Sequence, residues 1–359
     1  MIGFMLRRVL ALMALLAGPV LAQPVRFPPV LDIAAVPGLD AAGRASYRSW
    51  LDANVPRAIA VGTNGRVGWG AGGGSLEIAR ARALEHCAEQ GGRDCAIYAE
   101  DLAVVWPSRP APPPPEPPPA LISEISYKFT PDPRFIWWGP QAARGIYVWA
   151  NGYGPSDLDG PQPQPHVRPF NNAGYDVVRF DRYAMSDERD RAAGWLRDAL
   201  GEFRRMGYRS VIVGGQSRGA WNALQMLQYP GLADAVIAVS PASHGEGDNS
   251  DLLAQADDLR ALVADVPPSR ARLAFVQFSG DPYASDEDGR TQLIERLRPR
   301  LGALLLLDRP AGFSGHFGGT NAAFGQQYGE CLLRFALDPQ PPSACRLPPT
   351  ADVRATGLE

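Results

Sequence analysis

The sequence predicts an α/β protein, a doubly wound and mostly parallel sheet preceded by a small α+β unit. Three observations carry that expectation. From residue 121 onward, short apolar runs without in–out alternation are each followed by helix-like sequence. That is the pattern of strands buried on both faces and joined by right-handed βαβ crossovers. A proline-dense stretch, "WPSRPAPPPPEPPPA" (106–120), separates this region from everything before it. Finally, the 359 residues are 45% apolar and 20% charged, ordinary values for a chain that can bury a sizeable core.

The first residues read as an export address. Arg7-Arg8 precede the apolar run Val9–Ala22, which ends in small residues before Gln23; this is the pattern of a secretory signal and its cleavage site. The run is shorter than the roughly 20 apolar residues that cross a bilayer. Residues 1–22 are therefore expected to be a signal peptide, with a mature periplasmic or secreted chain from Gln23 and no stable membrane insertion. Four cysteines fit an oxidising compartment. They group as Cys87 with Cys95 and Cys331 with Cys345, each pair closing a short loop worth about 2–3 kcal/mol. A zinc site is the rival, but the nearest histidine to the first pair, His86, adjoins Cys87 and is poorly spaced for a chelate. The formal net charge is −3 and no basic stretch is long enough to track phosphates, which argues against a nucleic-acid partner.

Residues 41–106 read as helix, hairpin, helix and closing strand. "RAIAVGTNGRVGWGAG" offers two β-runs around Thr63-Asn64-Gly65, a hairpin signal. Ser75 caps a helix through "SLEIARARALEHCAEQGG", and "CAIYAEDLAVVW" supplies the last strands. The Gly70–Gly74 cluster lacks both the G-K-[ST] ending of a phosphate loop and a dinucleotide fingerprint, so it reads as a tight turn into the capped helix. Through "AIAVGTNGRVGWGAG", "ARARALEHC" and "CAIYAEDLAVVW" the stretch resembles a small uncharacterised domain of bacterial secreted proteins. That resemblance implies no chemistry, and the unit is expected to dock a partner or a cell-envelope component. Residues 107–120 are expected to be a stiff polyproline II spacer holding two folded units apart.

In residues 121–347, "GIYVWANGYG" (145–154) and "YDVVRFDR" (175–182) read as strands, with a long Pro- and Gly-rich loop between them from Tyr153 to Pro169. A helix capped by Ser186 follows (186–208). Then come strand "SVIVGGQS", helix "RGAWNALQMLQY", strand "AVIAVS", helix "DLLAQADDLRALVA", strand "RLAFVQFSGD", helix "GRTQLIERLRPRL", strand "ALLLLDR" and helix "NAAFGQQYGECLLRFAL". Residues 348–359 form a tail. Functional groups on such a sheet gather at the carboxyl ends of the strands.

"GGQSRG" stands at one of those ends. In a chain with 38 glycines, a G-x-S-x-G string is weak evidence by itself. Its setting is more specific: an apolar strand enters it and an amphipathic helix leaves it, as a nucleophile on a sharp turn requires. A serine hydroxyl needs a base, so one of four histidines should serve Ser217. His86 lies in the other unit, His166 in the proline-rich loop, and His244 after "AVIAVS". His316 follows the last strand, where the order Ser, acid, His puts the base. Asp281 ends the strand between them; Asp286, Asp288 and Asp308 are the competing acids. The oxyanion would be held by the Arg218 amide and by the Tyr153 amide in the loop after an early strand, where Gly152 and Gly154 let the chain bend.

With "GGQSRG", "SGDPY" and "SGHFGG" in this order, residues 121–347 resemble the α/β-hydrolase fold family. The resemblance implies a Ser217–His316–Asp281 triad. It departs at "ANGYG", which lacks the His-Gly of many esterases. The chemistry calls for no metal and no organic cofactor. Trp149, Tyr153, Trp221 and Tyr283 lie near site-forming segments, and only about 30 residues separate "AVIAVS" from "RLAFVQFSGD", room for one helix and not for a large cap. The expected substrate is a small-molecule or acyl ester without a long fatty chain. A serine peptidase of the same fold and a catalytically inert, hydrolase-like binding protein remain open.

Overall fold

The computed structural model describes residues 29–107, 114–153, 160–244, 251–284 and 286–345. The expected signal peptide, Gln23, linker residues 108–113, Gly154 and the tail 348–359 lie outside them. Where described, the chain has the expected class: a mixed α/β architecture whose large sheet is mostly parallel.

The N-terminal unit comprises α1 (Ala41–Asp52), β1 (Arg57–Val61), β2 (Val67–Ala71), α2 (Leu76–Glu89), β3 (Ala96–Glu100) and β4 (Ala103–Val104), with an antiparallel sheet ordered β2-β1-β3-β4. The hairpin turns at Gly65, whose φ of +78° suits glycine. Ser75 accepts from the Ile78 amide and starts α2. Gly68 and Gly70 let α2 lie directly on β2: a Cβ at Gly68 would stand 2.0 Å from the Cys87 nitrogen. Cys87 is disulfide-bonded to Cys95, and Cys331 to Cys345.

The second unit contains β5 (Ile122–Ser123), β6 (Tyr127–Pro131), β7 (Gly145–Ala150), α3 (Arg168–Asn172), β8 (Tyr175–Arg182), α4 (Arg189–Arg205), β9 (Val211–Gln216) and α5 (Arg218–Gln225). It continues with β10 (Ala235–Val239), α6 (Asp251–Asp265), β11 (Arg272–Gln277), α7 (Glu287–Glu295), β12 (Ala303–Asp308) and α8 (Ala322–Leu337). Its eight strands are ordered β12-β11-β10-β9-β7-β8-β6-β5. From β12 to β8 all pairings are parallel; β6 and β5 add an antiparallel edge. β5 and β6 carry no strand signal in the sequence, because they are short and only partly buried.

Alternate residues of each central strand enter two separate cores. Val211 and Val213 pack with Leu196, Ala220 and Leu262 from α4, α5 and α6; Ile212 packs with Phe170 and Leu332 from α3 and α8. Both faces are thus apolar, which is why these strands read as unbroken runs.

Two local expectations are corrected. Helix α4 is entered from Glu188 and begins at Arg189, while Ser186 lies in a preceding 3₁₀ turn and caps nothing. The spacer does not hold the units apart either. Arg57 donates to Asn172 Oδ1 at 2.7 Å, Asn172 donates to the Leu51 carbonyl at 2.8 Å, and both contacts are buried. Arg168 reaches Asn54 at 2.6 Å, and Ile136 joins the N-terminal core. Buried polar groups at this seam need partners, and each unit supplies those of the other.

Candidate active site

Because β7 and β9 to β12 run parallel, the segments that leave their carboxyl ends converge on one edge of the sheet. Ser217 joins β9 to α5 at φ +55°, ψ −123°. A non-glycine residue costs free energy there, and the surroundings must hold it. They do: its amide donates to the Val239 carbonyl at 3.1 Å, and its carbonyl accepts from Ala242 at 3.2 Å. The flanking glycines are required by close approach. A Cβ at Gly219 would stand 2.0 Å from the Ala150 carbonyl oxygen, and one at Gly215 would stand 2.5 Å from it.

The structure brings Asp281 and His316 together. Asp281 follows β11 and is nearly sealed from solvent; its carboxylate lies 2.9 and 3.0 Å from His316 Nδ1. The Tyr283 amide donates to the same carboxylate at 2.9 Å. The His316 loop is tied down at both sides: Gly315 donates to the Ser279 carbonyl at 2.8 Å, and Gln216 donates to the His316 carbonyl at 3.2 Å. The Tyr283 ring packs on the imidazole, with centroids 4.4 Å apart. Nδ1 is thereby engaged and Nε2 is left for other work.

Ser217 and His316 line one cavity of about 80 Å³, together with Gly152, Tyr153, Arg218, His244, Tyr283 and Phe317. Among the described residues Ser217 Oγ makes no hydrogen bond. Hydrogen bonds between catalytic groups are often long without substrate and tighten when it binds. The chain after β7 runs against the serine turn, since a Cβ at Gly152 would meet Ser217 Cβ at 3.3 Å. Tyr153 and Arg218 thus sit on the same wall as Ser217, and the Arg218 amide opens helix α5 with its positive dipole end.

The competing groups are committed elsewhere. Asp308 is bonded to Arg309 and to Gln277; Asp288 pairs with Arg309; Asp286 caps α7. His86 contacts the Trp69 carbonyl in the N-terminal unit. His166 is fully buried between Trp149 and Phe324, neither ring nitrogen has a hydrogen-bond partner among the described residues, and burial lowers its pKa to about 3. The segment around it is a packed 3₁₀ turn leading into α3, so the end of the Pro- and Gly-rich loop, from Pro163 to Pro169, is largely buried, while Pro161 and Gln162 are exposed.

Three groups had escaped the sequence reading. Asp258 on α6 holds His244 Nε2 at 2.7 Å, which places a second His–Asp pair at the cavity. Buried Arg290 donates to the Pro241 carbonyl at 2.7 Å; burial pushes its pKa down while the nearby Asp281 pulls it up. The Arg218 side chain donates to the Asp187 carbonyl at 3.2 Å and lies over the Tyr153 ring. Charged residues within amphipathic helices look like surface in a sequence, so none of the three carried a signal. Among the described residues, no three His, Cys, Asp or Glu side chains form a group that could hold a metal, and no helix is long and apolar enough to cross a membrane.

No family model and no curated protein matches the chain. Solved structures do match it at low identity. The Pyrococcus furiosus esterase Pf2001 is 16% identical over 59% of this chain and 89% of its own, with a TM-score of 0.42. Est1E from Butyrivibrio proteoclasticus is 12% identical over 60% of this chain and 96% of its own, at 0.42. Thermogutta terrifontis esterase 2 is 16% identical over 61% and 94%, at 0.41.

Proposed function

We propose that the protein is a serine hydrolase acting on small carboxylic esters, with Ser217 as nucleophile, His316 as base and Asp281 as its orienting acid. One observation carries the reading. Ser217, strained on a strand-to-helix turn, shares a cavity with an imidazole whose Nδ1 is held by a buried carboxylate. That carboxylate selects the tautomer with a proton on Nδ1 and a lone pair on Nε2.

In the proposed reaction Ser217 Oγ attacks the ester carbonyl while His316 Nε2 takes its proton. The Arg218 and Tyr153 amides receive the developing oxyanion. His316 then protonates the departing alkoxide, and a water deprotonated by the same nitrogen releases the acid from Ser217. The small cavity favours short acyl groups. Export to an oxidising compartment is part of the same proposal, supported by the two disulfides.

A fluorophosphonate probe tests the reading directly. Wild-type protein should be labelled at one residue, and Ser217→Ala should not be labelled. A wild-type protein that stays unlabelled while hydrolysing no p-nitrophenyl ester would instead favour an inert binding protein.

A further inference from the structure

The residue after the proposed nucleophile contributes more than an amide. Arg218 lines the same cavity as Ser217. One terminal nitrogen donates to the Asp187 carbonyl, and the guanidinium lies 5.5 Å from the centre of the Tyr153 ring. The other terminal nitrogen has no hydrogen-bond partner among the described residues and, unlike Nε, is not sealed from solvent. Asp187, the acid beside Arg218, is already bonded to Arg182 at 3.0 Å. Burial pushes the Arg218 pKa below its ordinary value; Asp187 opposes this, while Arg182 and Arg189 add to it. Arg182 is paired with Asp187, and Arg189 with Asp190 and Asp258; the terminal nitrogen of Arg218 that lacks a partner is the group that a bound carboxylate would satisfy.

The cavity itself is small, about 80 Å³ against about 30 Å³ for one water of bulk liquid. It accommodates an acetyl-sized group, so the remainder of a substrate extends past it, over a rim to which Arg218 and Tyr153 belong together with His244, Tyr283 and Phe317. We propose that Arg218 determines specificity, and that the preferred esters carry a carboxylate within a few bonds of the scissile carbonyl. The inference rests on Ser217 being the nucleophile.

The test compares 3-acetoxybenzoate with its neutral isostere 3-acetoxybenzamide. Wild-type enzyme should favour the carboxylate by about 10-fold or more in kcat/KM, chiefly through KM, and added salt should shrink that ratio. Arg218→Gln should bring the ratio to about one. Arg218→Lys should keep part of it, as a point charge without the planar fork. The salt dependence of the wild-type ratio stands as evidence even where Arg218→Gln does not fold. Fluorophosphonate labelling separates the two layers. A labelled Ser217 with a wild-type ratio near one, or a ratio that survives in Arg218→Gln, overturns the role of Arg218 alone. No labelling of Ser217 overturns this inference and the hydrolase reading together.

Discussion

Two His–Asp pairs meet at the cavity, and they are built differently. In the His316–Asp281 pair the carboxylate holds Nδ1, and the side chains are 5% and 2% exposed. In the His244–Asp258 pair the carboxylate holds Nε2, the side chains are 30% and 25% exposed, and Arg189 contacts both members. Burial strengthens the first pairing, because little water screens it. The second competes with solvent and shares its carboxylate with an arginine. An Asp–His contact near a serine is therefore not enough to name a base; which nitrogen it occupies, and how dry it is, decide.

The widest separation should appear on removing the rings. His316→Ala should lower kcat/KM for a short ester by about 10⁴-fold or more, and His244→Ala by less than about 10-fold. A larger loss in His244→Ala than in His316→Ala would exchange their roles. The carboxylates come next. Asp281→Asn should cost about 10³- to 10⁴-fold, because an amide at that place disfavours the tautomer that leaves Nε2 free. Asp258→Asn should change the rate by no more than about 3-fold, and similar losses in both variants would remove the distinction.

The contrast also shows what could be read in advance. The placement of Ser217, Asp281 and His316 on segments that follow β9, β11 and β12 was legible, because strand ends are visible in sequence. The parallel sheet was legible for the same reason: β7 and β9 to β12 are largely apolar on both faces. Asp258 was not, since α6 reads as an ordinary amphipathic helix and nothing local says which neighbour it will reach. His166 reads as part of a proline-rich loop, since Pro161, Pro163 and Pro165 precede it, yet the chain there enters the core, where Trp149 and Phe324 enclose the ring. The seam between the units was hidden as well. Arg57 looks like a surface residue until its contacts with Leu51, Ala53 and Asn172 are known.

A smaller effect probes the turn that carries Ser217. In Gly219→Ala the new Cβ would meet the Ala150 and Asn151 carbonyl oxygens at 2.0 and 2.4 Å, backbone atoms that cannot simply rotate away. The variant should lose about 3 kcal/mol in urea unfolding. Its folded fraction should also label more slowly with the fluorophosphonate, since Ser217 shifts against His316. Unchanged stability would mean that α5 can slide along β7, and that the turn is less constrained than its contacts indicate.

His166 supplies the limiting case of the comparison, an imidazole drier than His316 but with no carboxylate at all. Burial lowers its pKa to about 3, against about 6.5 in an unfolded chain. Below pH 6.5 the unfolded ring binds a proton that the folded ring refuses. Its contribution to stability is therefore complete above pH 6.5 and declines as pH falls towards 3, by about 1.4 kcal/mol per pH unit. Between pH 7 and pH 5 the wild-type protein should lose about 2 kcal/mol from this ring. His166→Leu, apolar and of similar volume, should lose about that much less over the same interval in paired urea titrations. An equal loss in both proteins would mean that the buried ring finds a proton acceptor in the folded state, and that dryness alone does not separate it from His316.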